Sequence, residues 1–510
     1  MTRRPAGSLA VALLAAATVG GSRCGPVPDP APPPLRLLLP GPPETLDPQR
    51  HHEDVTRGLL RSYYEGLVEL DAELNLRPRL ASDWSNPSET LWRFRLQEGV
   101  VFHDGSPFGA EDVARTLERA RLPESKVDAV VRAIREVRVV DAATVELVTD
   151  RPRPLLLARL AQTPILPRGT PDAEVTVPVG TGPYRWNGRG EGPTSVATGT
   201  RFERYWGPRP DFEAFEAHAS TDEAAVRRAA SGFADVVSPF PRELREALPP
   251  GGLKTVSHPT VTVSFLVCRV GPLATGRPSP VGDARVRRAV DLAIDRGALV
   301  REALEGEAVP ASQLVVPGVF GFEPALRTRL RDVAGARRLL AEAGLPSGLT
   351  LPIVVSPRGA AVAAVLSRQL AEAGLRLAVE PLDWTERYRR MRDAEAPLVL
   401  ATWTTATGDA SGLFEPLLHS SGGPEGFGSE NTTGWSDPEA DRWIREAASE
   451  TDPAARADLL RAVMRRALRE LPLVPLYSPQ WTYGVRDGIG FTPRLDFSVA
   501  APDVFRLGRQ

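Results

Sequence analysis

The sequence predicts a mixed α/β protein divided into two or three lobes, and three observations predict it. A chain of 510 residues is longer than one hydrophobic core usually organises, because domains rarely grow much beyond about 250 residues. The stretch Leu91 to Ala120, LWRFRLQEGVVFHDGSPFGAEDVARTLERA, switches from a period of two to a helical period across two turns. Beyond Ser257 the pattern changes again, to strands and helices in strict alternation.

Taken in order, the first strand is the apolar run Leu35 to Leu39, and a helix follows over Asp54 to Tyr64. His51 and His52 are expected as exposed residues of the loop before that helix. Trp92, Phe94 and Leu96 alternate with Arg93, Arg95 and Gln97, so one face of a strand carries the large side chains. Glu98-Gly99 is expected to reverse the chain, with Val100 to Phe102 as the returning arm of a hairpin. Asp104-Gly105 and Ser106-Pro107 are turn residues, after which Val113, Leu117 and Ala120 recur at helical spacing. Glu111 and Asp112 occupy the first turn, where the helix dipole favours carboxylates. His103 beside Asp104 is no proton relay, since neighbouring residues of an extended chain point to opposite sides. Val137 to Val140 and Thr144 to Val148 form a further hairpin, and the glycine-rich Gly188 to Gly192 a surface turn without the following helix that a phosphate cradle needs.

In the second half, Val261 to Val267 reads as a nearly continuous apolar strand that ends in a buried Cys268. Asp332 to Gly344 has a capping residue at each end of a helix with an apolar stripe. Strand Leu351 to Val355, helix Ala360 to Ala373, strand Leu375 to Glu380, helix Thr385 to Ala394 and strand Leu398 to Trp403 follow, the grammar of parallel strands joined by crossover helices. A long helix over Asp452 to Leu471 and a strand over Leu473 to Tyr477 close the series.

The first 24 residues are expected to be a signal peptide: Arg3-Arg4, then the apolar run Leu9 to Val19, which is too short to span a bilayer stably. Cys24 stands where a lipoprotein would be cut and acylated, and residues 25 to 34 form a proline-rich spacer of the kind that holds a domain off a surface. Arg23 departs from the usual lipobox. With Cys24 and Cys268 as the only cysteines, the chain is no disulfide scaffold despite its expected export.

A net charge of −2 with a sequence pI near 6.4 leaves no electrostatic footprint for nucleic acid. There is no GxSxG elbow and no phosphate-binding GxxxxGK[ST] loop, and His52-Glu53 fails as a zinc motif because Thr56 stands at the second histidine. The sequence therefore points to no enzyme, no metal and no cofactor.

The EGVVFHDGSPFGAEDV block resembles the signature of the extracytoplasmic solute-binding proteins of peptide-type (dipeptide, oligopeptide and nickel) ABC importers, family 5. PETLDP at Pro43 to Pro48, YEGLVELD at Tyr64 to Asp71, PRLASDW at Pro78 to Trp84, VGTGPYRW at Val179 to Trp186 and DARVRRAVDLAIDR at Asp283 to Arg296 carry the likeness along the chain in order. Gly109 departs from the threonine usual at that helix cap, and glycine is an acceptable N-cap. The resemblance implies a bilobal, periplasmic-binding-protein-like α/β fold with mixed sheets, of the large type with an extra subdomain in lobe one. Lobe one is expected over residues 35 to 257, its inserted subdomain over about 49 to 169, and lobe two over 258 to 484, with 485 to 510 returning to lobe one. It further implies a monomer outside the cytoplasm that captures a peptide or other small solute and serves ABC permease subunits; a lipid anchor at Cys24 is expected from its position before the spacer. Oligosaccharides and metal chelates are the alternative ligands, and a sensor or a hydrolase on the same fold the alternative classes.

WTTATGDASGLF at Trp403 to Phe414 is similar to the family block WTGDNGDPDNFF. Asp409 matches its second acid, which in the peptide-binding branch pairs with the ligand's α-amino group. Ala406 replaces the first acid, and Ala410 and Ser411 replace the proline and aspartate. Ligands of open α/β sheets bind beyond the carboxyl ends of the strands, so parallel strands would bring Arg358, Trp384 and the Asp409 loop to one edge. The expected roles are Arg358 on a carboxylate, Asp409 on an ammonium, and Trp384 or Trp403 against the ligand's apolar part.

Overall fold

Four apolar side chains in five residues make Leu35–Leu39 a strand buried on both faces, and it lies in parallel between Ala214–Ala219 and Val236–Val237. Ser195–Arg201 and Tyr184–Trp186 extend this side of the sheet in antiparallel fashion. In the other half Leu375–Pro381, Leu349–Val355 and Leu398–Thr404 lie side by side in parallel, joined by helices Ala360–Glu372 and Trp384–Arg392. The expected crossover grammar is thus present, with Gly374 at a φ of 96° ending the first of these helices. Leu398–Thr404 then pairs antiparallel with Thr262–Cys268, in which every residue is buried. Cys268 is inert, its thiol pushed up to about 12 by burial. The computed structural model describes residues 32–508 apart from 52, 128–130, 221, 241–243, 246–251 and 346–347; Cys24, His52 and the signal segment lie outside the described residues.

One strand joins the two halves into a single twelve-stranded sheet. Leu473–Arg486 pairs through Leu473 to Tyr477 with Thr262–Cys268, and through Gln480 to Arg486 with Leu253–Pro259. The strand expected to end at Tyr477 therefore runs on to Arg486. At the crossing Thr260 Oγ1 donates to the Pro479 carbonyl at 2.8 Å, and Ser478 Oγ to the Thr260 carbonyl at 3.3 Å. The molecule is bilobal. Its apolar clusters are separate, one built almost wholly from Val261 to Tyr477 and others around Leu35, Tyr63 and Phe215 or around Phe94, Phe102 and Val113.

A four-stranded antiparallel sheet stands apart, in the order Ile134–Asp141, Thr144–Thr149, Leu91–Leu96, Ala81–Ser88. Leu91–Leu96 folds back on Ala81–Ser88, which precedes it, and not on Val100 to Phe102. The reason lies in the neighbours: both of its edges are taken, and Val101 keeps only a single bridge to Pro107 across the HDGSP turn. Helix Ala110–Arg119 starts at Gly109, whose N–H donates to the Asp112 carboxylate at 2.9 Å, the half of a capping box that needs no cap side chain. His51 is buried, contrary to the exposed loop position expected of it.

Candidate functional site

The three parallel strands Leu375–Pro381, Leu349–Val355 and Leu398–Thr404 open their carboxyl ends on one edge, as parallel pairing requires. Ser356 caps the short turn Pro357–Gly359 by accepting from Gly359 N–H at 3.1 Å. That turn presents Arg358, an exposed cation for which the described residues provide no ion-pair partner. Asp383 caps the next helix through Glu386 N–H at 3.0 Å, leaving Trp384 in its first turn 65% exposed. Trp384 stacks on Tyr388 at 5.6 Å, and the Arg387 guanidinium lies 5.1 Å from its ring. Trp403, at the end of Leu398–Thr404, is fixed by an Nε1–H donated to the Gly412 carbonyl at 3.0 Å. The two tryptophans line one cavity of about 70 Å³, with Phe265, Val399, Ala401 and Met391 as apolar walls.

Asp409 has a different partner from the one expected. Its carboxylate is buried and forked by Arg456, at 2.6 Å from Nη1 and 3.1 Å from Nη2, and also accepts from Ser411 N–H at 2.9 Å. Arg456 in turn gives Nε–H to the Ala447 carbonyl and Nη2–H to Ser411 Oγ, both at 2.9 Å, and packs over the Phe320 ring. A bidentate pair of this kind saturates both charges. The carboxylate therefore holds the loop between Trp403 and Phe414 in place, and an ammonium arriving there would compete with a guanidinium already seated. Sequence reading missed Arg456, although a signal was present: Arg456 shares the helical stripe of Leu460, Val463, Met464 and Ala467, so an arginine was to be buried and needed a carboxylate.

Ala406, on the same loop, lines a second cavity of about 250 Å³ whose other walls come from the first lobe. Its carbonyl accepts from Gln162 Nε2 at 3.3 Å, and beside it Arg159 meets Glu415 at 3.1 Å, so the lobes touch through polar contacts at this rim. Arg57, Arg61, Arg79 and Arg494 line this cavity along with Glu65, Glu69 and Asp496. Most of these charges are committed. Arg61 pairs with Asp503 at 2.9 Å and Arg494 with Asp496 at 3.2 Å. Glu65 is a buried hub that receives Arg79 at 2.6 Å, Thr181 Oγ1 and Trp206 Nε1 at 2.8 Å and Tyr205 Oη at 2.9 Å. Burial raises its pKa while these donors lower it. Nothing in the sequence marked the hub beyond a glutamate set among apolar neighbours in YYEGLV. No group of three or more His, Cys, Asp or Glu able to hold a metal ion occurs among the described residues. No helix among them is long and apolar enough to cross a membrane.

The model of the bacterial extracellular solute-binding proteins, family 5 (middle), matches residues 75–425. The chain belongs to this family. As a family 5 extracellular solute-binding protein it acts outside the cytoplasm, and its relatives are named as binding proteins. It is 27% identical over 457 residues to the glutathione-binding protein GsiB of Escherichia coli K12, a match that covers 85% of this chain and 86% of GsiB. Among solved structures it superimposes on the ABC transporter substrate-binding protein CtaP of Listeria monocytogenes with a TM-score of 0.82 and 19% identity, covering 94% of this chain and all of the other. The dipeptide-binding protein of Pseudoalteromonas sp. SM9913 in complex with Met-Leu gives 0.77 and 20%, covering 93% of this chain and all of the other. These last two likenesses concern the fold of this solute-binding protein.

Proposed function

We propose that this family 5 protein captures a peptide or peptide-like solute between its lobes and delivers it, as a monomer, to an ABC permease. One observation carries the reading: a cavity closed from the second lobe by the Ala406 loop presents both cations and carboxylates on its first-lobe wall, the pattern a zwitterionic solute requires. The likeness to a protein named for glutathione binding supports it. In this reading Trp384 and Trp403 form the subsite for an apolar side chain, and the unpaired Arg358 on the same edge meets a carboxylate. Lobe one comprises about 35 to 257 with its insert at about 49 to 169, and lobe two about 258 to 484, with 485 to 510 returning to lobe one. A thermal-shift screen of di- to pentapeptides beside oligosaccharides and metal chelates is the test. A ligand at a hundredfold excess over its Kd adds about 2.7 kcal/mol of stability, so peptides are expected to raise Tm by several degrees. A rise with the other solutes and none with peptides would overturn the assignment.

In the same reading residues 1–24 direct export, and Cys24 is acylated ahead of the spacer. A single acyl chain anchors only marginally, whereas the two or three of a lipoprotein anchor durably. Cys24→Ser is therefore expected to move the protein from the membrane fraction to the soluble one. Wild-type protein found soluble after signal cleavage would remove the anchor from the proposal.

A further inference from the structure

Neither acid position of the WTTATGDASGLF loop offers a carboxylate to the cavity: Ala406 has none, and Asp409 is forked by Arg456. A zwitterion enclosed there would still need an acceptor for its ammonium, because a desolvated charge without a partner is costly. Three carboxylates line the cavity, and two are used up. Glu65 receives four donors, and Asp496 is occupied by Arg494 and Ser498. Glu69, on the short strand Val68–Leu70, is the third. Its side chain is 44% exposed, no hydrogen bond to it is found among the described residues, and its one ion-pair contact is Arg79 Nε at 3.5 Å. Arg79 gives its closer contact to Glu65 at 2.6 Å, so Glu69 keeps its lone pairs open.

We propose that Glu69 is the acceptor for a primary ammonium of the solute, the role that the loop's own acids do not fill. This rests on the peptide reading above. The cations beside it do not compete for that role. Arg57 and Arg61, half-buried on the same wall, are paired with Asp54 at 2.5 Å and with Asp503 at 2.9 Å, so Glu69 is the carboxylate of this wall still open to an ammonium. The site therefore selects solutes with a free amino group over the same solutes acylated at that nitrogen.

Calorimetric titration of the full-length protein with glutathione, trialanine and Met-Leu, each beside its N-acetyl derivative, tests this. Wild type is expected to bind at least one free peptide tenfold or more tightly than its acetylated form. Glu69→Gln is expected to lose at least tenfold for the free peptide and nothing for the acetylated one, and Glu69→Asp to recover part of the preference. Because Glu69 accepts no hydrogen bond and is half in solvent, Glu69→Gln should unfold at the wild-type temperature, which a melting curve verifies. A Glu69→Gln protein that keeps the wild-type preference, or a wild type without one, overturns the inference while leaving peptide binding intact. If none of the three peptides binds wild type in either form, the inference falls together with the reading beneath it.

Discussion

Asp409→Asn and Arg456→Met are each expected to destabilise the protein by about 3–5 kcal/mol, the cost of leaving one member of a buried ion pair without its partner. The pair qualifies because both side chains are almost wholly inaccessible, 6% and 7% exposed, and both bonds of the fork are present. Arg456→Lys is expected to recover only a fraction, since an ammonium cannot reach Asp409, Ser411 and the Ala447 carbonyl together as the planar fork does. Replacing both, as Asp409→Asn with Arg456→Met, should cost less than the two single losses added, by about 0.5–3 kcal/mol of coupling. Urea denaturation of the four variants measures this directly. An Asp409→Asn protein of unchanged stability that no longer distinguishes free from N-acetylated peptides would return the carboxylate to the ligand and refute the structural role.

The Asp409 site also shows what a sequence can and cannot convey about function. The block around it was legible, and so was its place beyond a parallel strand, because hydrophobic period and turn residues are local properties. The partner was not, since Arg456 lies 47 residues on in another helix and only tertiary packing brings the two together. A motif position licenses a residue type; the neighbours decide its use. Glu65 illustrates the same limit, for its four donors come from three separated segments, around Arg79, Thr181 and Tyr205.

For the fold the balance is more favourable. Strands Leu349–Val355, Leu375–Pro381 and Leu398–Thr404 and their crossover helices begin and end within a few residues of the expectation. Each carries its own start and stop signals, such as Asp383 at a helix start and Gly374 at a helix end. Misreadings arose where two neighbours competed for one strand. Leu91–Leu96 had a plausible partner on either side in sequence, and the longer Ala81–Ser88 won by offering five paired positions where Val100 to Phe102 could offer at most three. Leu473–Arg486 runs past its expected end at Tyr477 although it contains Pro475 and Pro479. In the fold Pro475 lies at a register shift and Pro479 at the crossing between lobes, positions where a missing N–H is tolerated.

The second large expected effect is a loss of stability on acidification that His103 alone accounts for to the extent of about 3 kcal/mol. The ring is buried, and its two nitrogens are read unambiguously by the backbone around them. Gly180 N–H can only donate, so Nδ1 accepts it at 3.3 Å; Nε2 then carries the proton and donates to the Gly182 carbonyl at 2.9 Å. Protonating Nδ1 would set an N–H against an N–H in a site that burial already makes hostile to charge, with Arg185 adding repulsion and Asp104 only partly offsetting it; the pKa falls to about 4. Because the folded pKa lies below the unfolded one, near 6.5, the neutral ring's contribution is complete above pH 6.5 and is lost as the pH falls from there to about 4. Each pH unit in that window is worth about 1.4 kcal/mol, which gives the total. His103→Gln keeps an acceptor and a donor but has no proton to gain. Acidic groups elsewhere titrate equally in both proteins, so the difference between their unfolding free energies should shrink by about 3 kcal/mol between pH 7.5 and pH 4. Parallel curves over that range would mean that His103 is not held neutral. The consequence reaches the cavity closed by the Ala406 loop, since His103 ties the HDGSP turn to the VGTGPY segment, and Thr181 in that segment is a donor to the Glu65 hub on the cavity wall.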